Sequence, residues 1–128
     1  MQYKYFYGAQ AEQFSFYRIP KALFTEPNFR ELSTDAKVLH GILLDRMSLS
    51  LKNQWLDAQN KVYIIFTVEE IMDALNCANQ KATRLMVELE KQAGLIERKR
   101  QGLGRPNLIY VKNFAATINN KSCEKGDS

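Results

Sequence analysis

Between Asn79 and Asn107 the chain concentrates side chains suited to one chemistry, the ionic and hydrogen-bonded recognition of a polyanion. Seven cations, Lys81, Arg84, Lys91, Arg98, Lys99, Arg100 and Arg105, stand against three anions, Glu88, Glu90 and Glu97, over residues 79–106. The formal charge of the whole chain is +4, so residues outside this stretch are close to neutral. Asn79, Gln80, Thr83 and Asn107 interleave the cations with neutral hydrogen-bonding groups. A glutamine amide pairs with adenine, and an arginine or lysine pairs with guanine or holds a phosphate. Charge focused in this way binds a nucleic acid by releasing condensed counterions.

Other chemistries lack their residues. His40, the single histidine, has no serine, cysteine or carboxylate spaced to make it a base, so a satisfied histidine inside an apolar helix is expected. Asp35, Asp45, Glu69 and Glu70 could pass for paired carboxylates, but Asp35 fits a helix first turn and Glu70 a cap. Gly102 and Gly104 are not followed by Gly-Lys-Ser or Gly-Lys-Thr, which excludes a phosphate-binding loop. Cys77 and Cys123 form neither a Cys-x-x-Cys pair nor a four-ligand set with His40. No enzymatic activity, cofactor or metal is expected.

The elements that carry the basic stretch follow from spacing. Thr67 and Glu70 make a Thr-x-x-Glu capping box ahead of a helix bearing Ile71, Met72 and Leu75. A polar turn at residues 76–79 leads to a second helix, with Ala82, Leu85, Met86, Leu89 and Ala93 on its buried side and Gln80, Lys81, Thr83, Arg84, Glu88 and Lys91 mostly elsewhere. Gly94 stops it, and two strands, 95–100 and 107–111, enclose the loop Gln101-Gly102-Leu103-Gly104-Arg105-Pro106. Upstream, Ser33-Thr34-Asp35 start a long helix over 36–51 with Leu39, Leu43 and Met47 on one side. The β-branched and aromatic run Val62-Tyr63-Ile64-Ile65-Phe66 predicts a strand completing a three-stranded sheet. Helix, strand, helix, helix, strand, strand is the order of a winged helix-turn-helix, an α+β fold.

The first thirty residues hold nine of the fourteen aromatics. Tyr3, Tyr5 and Tyr7 alternate, as do Phe14 and Phe16, which predicts an N-terminal β-hairpin extension with a face to cover. Those five either pack onto their own domain or form a homodimer interface, since interface cores favour aromatics and a lone hairpin is marginal in water. The organisation expected is an aromatic extension with a short helix over 1–30, the winged helix over 31–114, and a polar linker or tail over 115–128. At 128 residues and 45% hydrophobic, the chain suffices for one core. Lacking both an apolar run of about 18 to 20 residues and a signal-peptide pattern, it is expected in the cytoplasm and not at a membrane.

The strings 16–24 (Phe-Tyr-Arg-Ile-Pro-Lys-Ala-Leu-Phe), 32–39 (Leu-Ser-Thr-Asp-Ala-Lys-Val-Leu), 44–50 (Leu-Asp-Arg-Met-Ser-Leu-Ser) and 62–67 (Val-Tyr-Ile-Ile-Phe-Thr), with the helix pair and the segment from Gly94 to Pro106, closely resemble the N-terminal domain of the RepA family of bacterial plasmid replication initiators. The resemblance covers roughly residues 14–114. It implies a domain that binds repeated double-stranded sites, or iterons, at a plasmid origin. It also implies a C-terminal domain, absent here, of the primosomal DnaD type that engages host replication proteins, with the tail from Asn119 as a truncation.

On these grounds the expected DNA-binding residues are Asn79, Gln80, Lys81, Thr83, Arg84, Arg98, Lys99, Arg100, Arg105 and Asn107. The helix from Asn79 to Gln92 would enter the major groove, with Gln80, Lys81 and Arg84 reading bases or holding phosphate, and the wing would follow the backbone into the minor groove. Gly104-Arg105-Pro106 is similar to short cores that lay an arginine in a narrow A/T-rich groove, and is also an ordinary turn sequence. A winged helix that assembles proteins, or a transcriptional repressor, would share the helix and wing.

Overall fold

The computed structural model describes residues 2–8 and 13–115. A short helix α1 (Ala22–Thr25) and a 3-10 turn (Pro27–Phe29) precede the long helix α2 (Thr34–Lys52). Helices α3 (Val68–Leu75) and α4 (Asn79–Val87) follow, then a π-helical turn (Glu88–Gln92) and strands β1 (Ile96–Lys99) and β2 (Leu108–Val111).

Each boundary has a local cause. Ser33 caps α2, its Oγ accepting from the Ala36 N–H at 3.1 Å. Thr67 and Glu70 form the reciprocal capping box of α3. Asn76 ends α3 in the left-handed region at φ 52°, and Gly94 at φ 66° turns the chain from the π-turn toward β1. The core is built from Leu39 and Leu43 of α2, Ile71 of α3, Ala82 and Leu85 of α4, Leu89 in the π-turn, and Leu95, Ile96 and Ile109 around the wing.

The sheet is smaller than its sequence predicts. β1 and β2 pair antiparallel, from Ile96 opposite Val111 to Lys99 opposite Leu108. The run 62–66 contributes one bridge, Ile64 to Ile109, with both backbone bonds at 2.9 Å. Its preceding residues are committed elsewhere: Leu56 bridges Val62, and the Tyr63 N–H donates to the Trp55 carbonyl at 3.3 Å. Asp57 organises that turn, accepting from the N–H groups of Gln59 and Lys61 and from the Tyr110 hydroxyl. Phe66 is followed at once by the α3 cap, so Ile64 alone reaches β2.

The N-terminal hairpin is likewise not a strand pair. Residues 2–7 and 15–20 carry no strand assignment. The segment still doubles back, with Phe6 edge-on to Phe14 at 5.8 Å and Phe14 edge-on to Phe16 at 6.3 Å. It rejoins the domain at Arg18 and Ile19, which lie against Gly41 of α2. A Cβ on Gly41 would meet the Arg18 carbonyl oxygen at 2.9 Å and Ile19 Cγ1 at 3.0 Å, so only glycine admits this approach. The tail expected from Asn119 and its Cys123 lie outside the described residues.

Gly41→Ala is accordingly expected to displace the Arg18–Ile19 segment and lower stability by about 1–3 kcal/mol. Urea denaturation of the two proteins measures this, and coincident midpoints would refute the close approach.

Candidate nucleic-acid interface

Helix α4 buries Ala82, Leu85 and Met86 and turns Asn79, Gln80, Thr83, Arg84 and Val87 outward. Gln80, Thr83, Arg84, Val87 and Lys91 fall at helical spacing, so they share one solvent-facing row. Val87, 37% exposed, joins this row although its apolar side chain carries no signal for a polar surface. The helix starts without a side-chain cap, as Ala78 occupies that position. Its first-turn N–H groups are thus left to solvent or to an anion. Asn79 and Thr83 touch one turn apart, Thr83 Oγ1 donating to Asn79 Oδ1 at 3.4 Å.

The cations divide into two groups. Lys81 reaches across to α2, its Nζ 2.7 Å from Asp35 Oδ2. Arg98 is held by Glu90, Nε at 2.9 Å and Nη2 at 2.7 Å from Oε1, while its backbone N–H donates to Oε2 at 2.9 Å. Burial raises the Glu90 carboxyl, but the Arg98 N–H and guanidinium outweigh it and hold the group below the ordinary range. Glu90 therefore ties the base of the wing to the π-turn, and most of the Arg98 side chain is covered. Arg84, Lys99, Arg100 and Arg105 are exposed, as are Lys91 and Asn107.

Three acidic residues, Asp35, Glu90 and Glu88, thus shape a basic surface. Glu88, placed among the polar positions by its spacing, is instead buried. Its carboxylate accepts the Ser33 N–H at 2.9 Å and the Ser33 hydroxyl at 3.0 Å, joining the end of α4 to the start of α2. The π-helical turn widens the helix at that point, a feature that polar spacing does not encode.

The wing loop is tied across its base. The Gln101 side-chain amide donates to the Pro106 carbonyl at 2.8 Å, and the Arg105 N–H to the Gly102 carbonyl at 3.3 Å. Gly102 (φ 117°) and Gly104 (φ 78°) have positive φ and open space where a side chain would stand.

His40 is buried at 1% exposure beside the Phe114 ring, but it is not satisfied: among the described residues neither ring nitrogen has a hydrogen-bond partner. Desolvation lowers its pKa to about 4. The ring lies behind the wing, next to a cavity of about 1080 Å³ bordered by Met47, Val62, Tyr110 and Phe114. The five N-terminal aromatics Tyr3, Tyr5, Tyr7, Phe14 and Phe16 are all exposed, Tyr3 and Tyr5 by about 85%.

The model of the replication initiator protein A (RepA) N-terminus matches residues 15–125 of this chain. The chain belongs to that family. Its RepA N-terminal fold is shared by a solved structure described as the N-terminal domain of a DNA binding protein, at 35% identity and a TM-score of 0.72, covering 99% of this chain and 98% of that one. A Rep-DNA complex matches at 35% identity and a TM-score of 0.72 over 98% of each chain. The structure of an MDR initiator matches at 37% identity and a TM-score of 0.67, over 93% of this chain and 98% of that one. A 41 kDa protein of Lactobacillus helveticus is 30% identical over 103 residues, or 80% of this chain. This RepA N-terminal chain spans 28% of the length of that relative.

The state of His40 makes stability depend on pH with a definite sign. Its folded pKa, about 4, lies below the ordinary 6.5, so the unfolded chain takes up the proton first and stability falls as pH drops through that window. The His40 contribution lost between pH 7 and pH 5 is expected to be about 2 kcal/mol. His40→Leu should remove that part of the pH dependence in denaturation curves at the two values, and equal slopes for both proteins would count against a neutral, unpartnered ring.

Proposed function

We propose that this chain is the sequence-specific double-stranded DNA-binding domain of a plasmid replication initiator, directed to repeated origin sites. The observation that carries it is the pairing of an exposed polar row on α4 with a wing bearing Lys99, Arg100 and Arg105. The Rep-DNA complex among its structural relatives supports the same reading.

In this reading α4 enters the major groove. Gln80 pairs with an adenine edge, Arg84 takes guanine or a phosphate, and Val87 offers an apolar surface to a thymine methyl. Asn79 and Thr83, near the uncapped helix start, face the phosphates. Lys81 exchanges Asp35 for phosphate on binding, so the ion pair sets a modest threshold for engagement. Arg98 acts through Glu90 to hold the wing, while Lys99, Arg100, Arg105 and Asn107 follow the backbone toward the minor groove. The activity is binding without covalent chemistry.

The exposed aromatics of the N-terminal segment favour a homodimer over packing onto their own domain, because solvent-facing tyrosines and phenylalanines gain most from a second copy. Two linked modules on tandem repeats gain from effective concentration. Recruitment of host replication proteins belongs, on this view, to a further domain, in keeping with the greater length of the Lactobacillus helveticus relative. Among the described residues no helix is long and apolar enough to cross a membrane, and the proposed site of action is the cytoplasm, where the plasmid is copied.

Fluorescence anisotropy on tandem-repeat origin DNA against scrambled duplex, at several salt concentrations, tests the proposal. A preference of about a thousandfold with a steep negative salt slope is expected, and weak, sequence-indifferent binding would overturn it. Gln80→Ala or Arg84→Ala should cost about 1–3 kcal/mol and relax sequence preference, whereas Lys99→Ala should weaken all sequences alike. Tyr5→Ser with Phe16→Ser should halve the mass in sedimentation while the fold persists; an unchanged mass would remove the dimer.

A further inference from the structure

The wing tip carries a residue that neither charge nor core packing explains. Leu103 is 101% exposed, more than any other large apolar side chain described. It stands between Gly102 and Gly104, whose positive φ values and empty surroundings leave the leucine without a neighbouring side chain on either flank. The Gln101–Pro106 and Arg105–Gly102 hydrogen bonds close the loop beneath it. A tied loop thus presents one aliphatic side chain at its apex, with Arg100 and Arg105 on the approaches.

In the free domain this leucine buries nothing, and it packs on no wall of the core. A soluble turn needs no leucine at such a position, where a polar residue would be better hydrated. The flanking cations limit the partner: an apolar protein groove would have to desolvate Arg100 and Arg105, whereas a duplex supplies phosphates to both and an unstackable base step between them. Branched aliphatic side chains inserted at minor-groove steps separate bases and bend the helix axis toward the major groove. Pyrimidine–purine steps in A/T-rich DNA yield most easily to such insertion.

We infer that Leu103 is a wedge that inserts from the minor groove at an A/T-rich base step, partly unstacking it and bending the bound duplex. The inference rests on the DNA-binding reading and adds deformation to it. Arg100 and Arg105 bring the loop to the groove, and the two glycines let the backbone approach closely. The wing thereby reads the deformability of the site, selecting steps that α4 does not touch, and it loosens stacking next to a repeat without any chemistry.

The test uses the intact chain and a duplex selected by it from a random pool, with 2-aminopurine replacing adenines of the A/T segment in turn and a dye pair at the duplex ends. The wild-type chain should raise 2-aminopurine fluorescence at one step and shorten the end-to-end distance. Leu103→Ala should keep the salt slope of binding, lose both optical signals, and bind the intact duplex roughly tenfold to two-hundredfold more weakly, the range expected of one lost apolar contact. A mismatch placed at the same step should recover much of that loss, because the unstacking cost has been removed beforehand. Leu103→Met should behave like wild type. Equal unstacking and bending by wild type and Leu103→Ala would overturn the wedge while leaving the DNA-binding reading intact. Binding by neither protein to any selected duplex would overturn both. Tight wild-type binding with no optical signal at any step would refute insertion and leave Leu103 a surface for another macromolecule.

Discussion

The buried carboxylate of Glu88 is the constraint on which the geometry of the interface rests. It accepts both the N–H and the hydroxyl of Ser33, and that hydroxyl in turn accepts from Ala36 to start α2. One carboxylate therefore fixes where the central helix begins and where α4 ends. An acid so deeply covered would be costly without partners, and the two Ser33 donors supply them. With this register set, Leu85 and Leu89 meet Leu39 and Leu43 in the core, and the opposite face of α4 is left outward as a single row.

Acidic residues also determine which cations are free. Asp35 holds Lys81 and Glu90 holds Arg98, so the net positive charge of the stretch is distributed unevenly over its surface. The Lys81 pair is substantially exposed, and such pairs contribute little and exchange readily for phosphate. The Arg98 pair is better covered and also satisfies the backbone at the edge of β1, which makes it part of the scaffold of the wing. Arg84, Lys91, Lys99, Arg100 and Arg105, exposed and outside these pairs, are the side chains left to meet a polyanion.

The wing itself is a small sheet stabilised from several sides. Ile64 extends it by a single bridge, the Asp57 turn reaches it through Tyr110, and Glu90 fastens its outer edge. Two-stranded hairpins are marginal by themselves, so each of these attachments matters for holding the basic loop in place. Beyond Lys99 and before Leu108 those attachments cease, and the loop is shaped by its own Gln101–Pro106 clasp and its glycines. The domain thus pairs a rigid helix surface with a projecting, independently shaped tip.

The sequence by itself determined what depends on neighbours along the chain. The N-cap at Ser33, the capping box at Thr67, the left-handed stops at Asn76 and Gly94, the apolar face of α4 and the hairpin between β1 and β2 all follow from local hydrogen bonding and periodicity, and together they specify a winged helix. The RepA-like strings were legible in the same way. The tertiary structure alone decided what depends on partners distant in sequence. Ile64 was reduced to one bridge because Val62 and Tyr63 had already paired with the Trp55–Leu56 turn. Glu88 was drawn inward by Ser33, 55 residues away, and Arg98 was withdrawn from the open surface by Glu90. The N-terminal aromatics alternate as strands do, yet they remain exposed and unladdered among the described residues. Alternation prescribes which side chains share a face, but only another strand or surface can supply the hydrogen bonds and the burial that turn a pattern into a sheet.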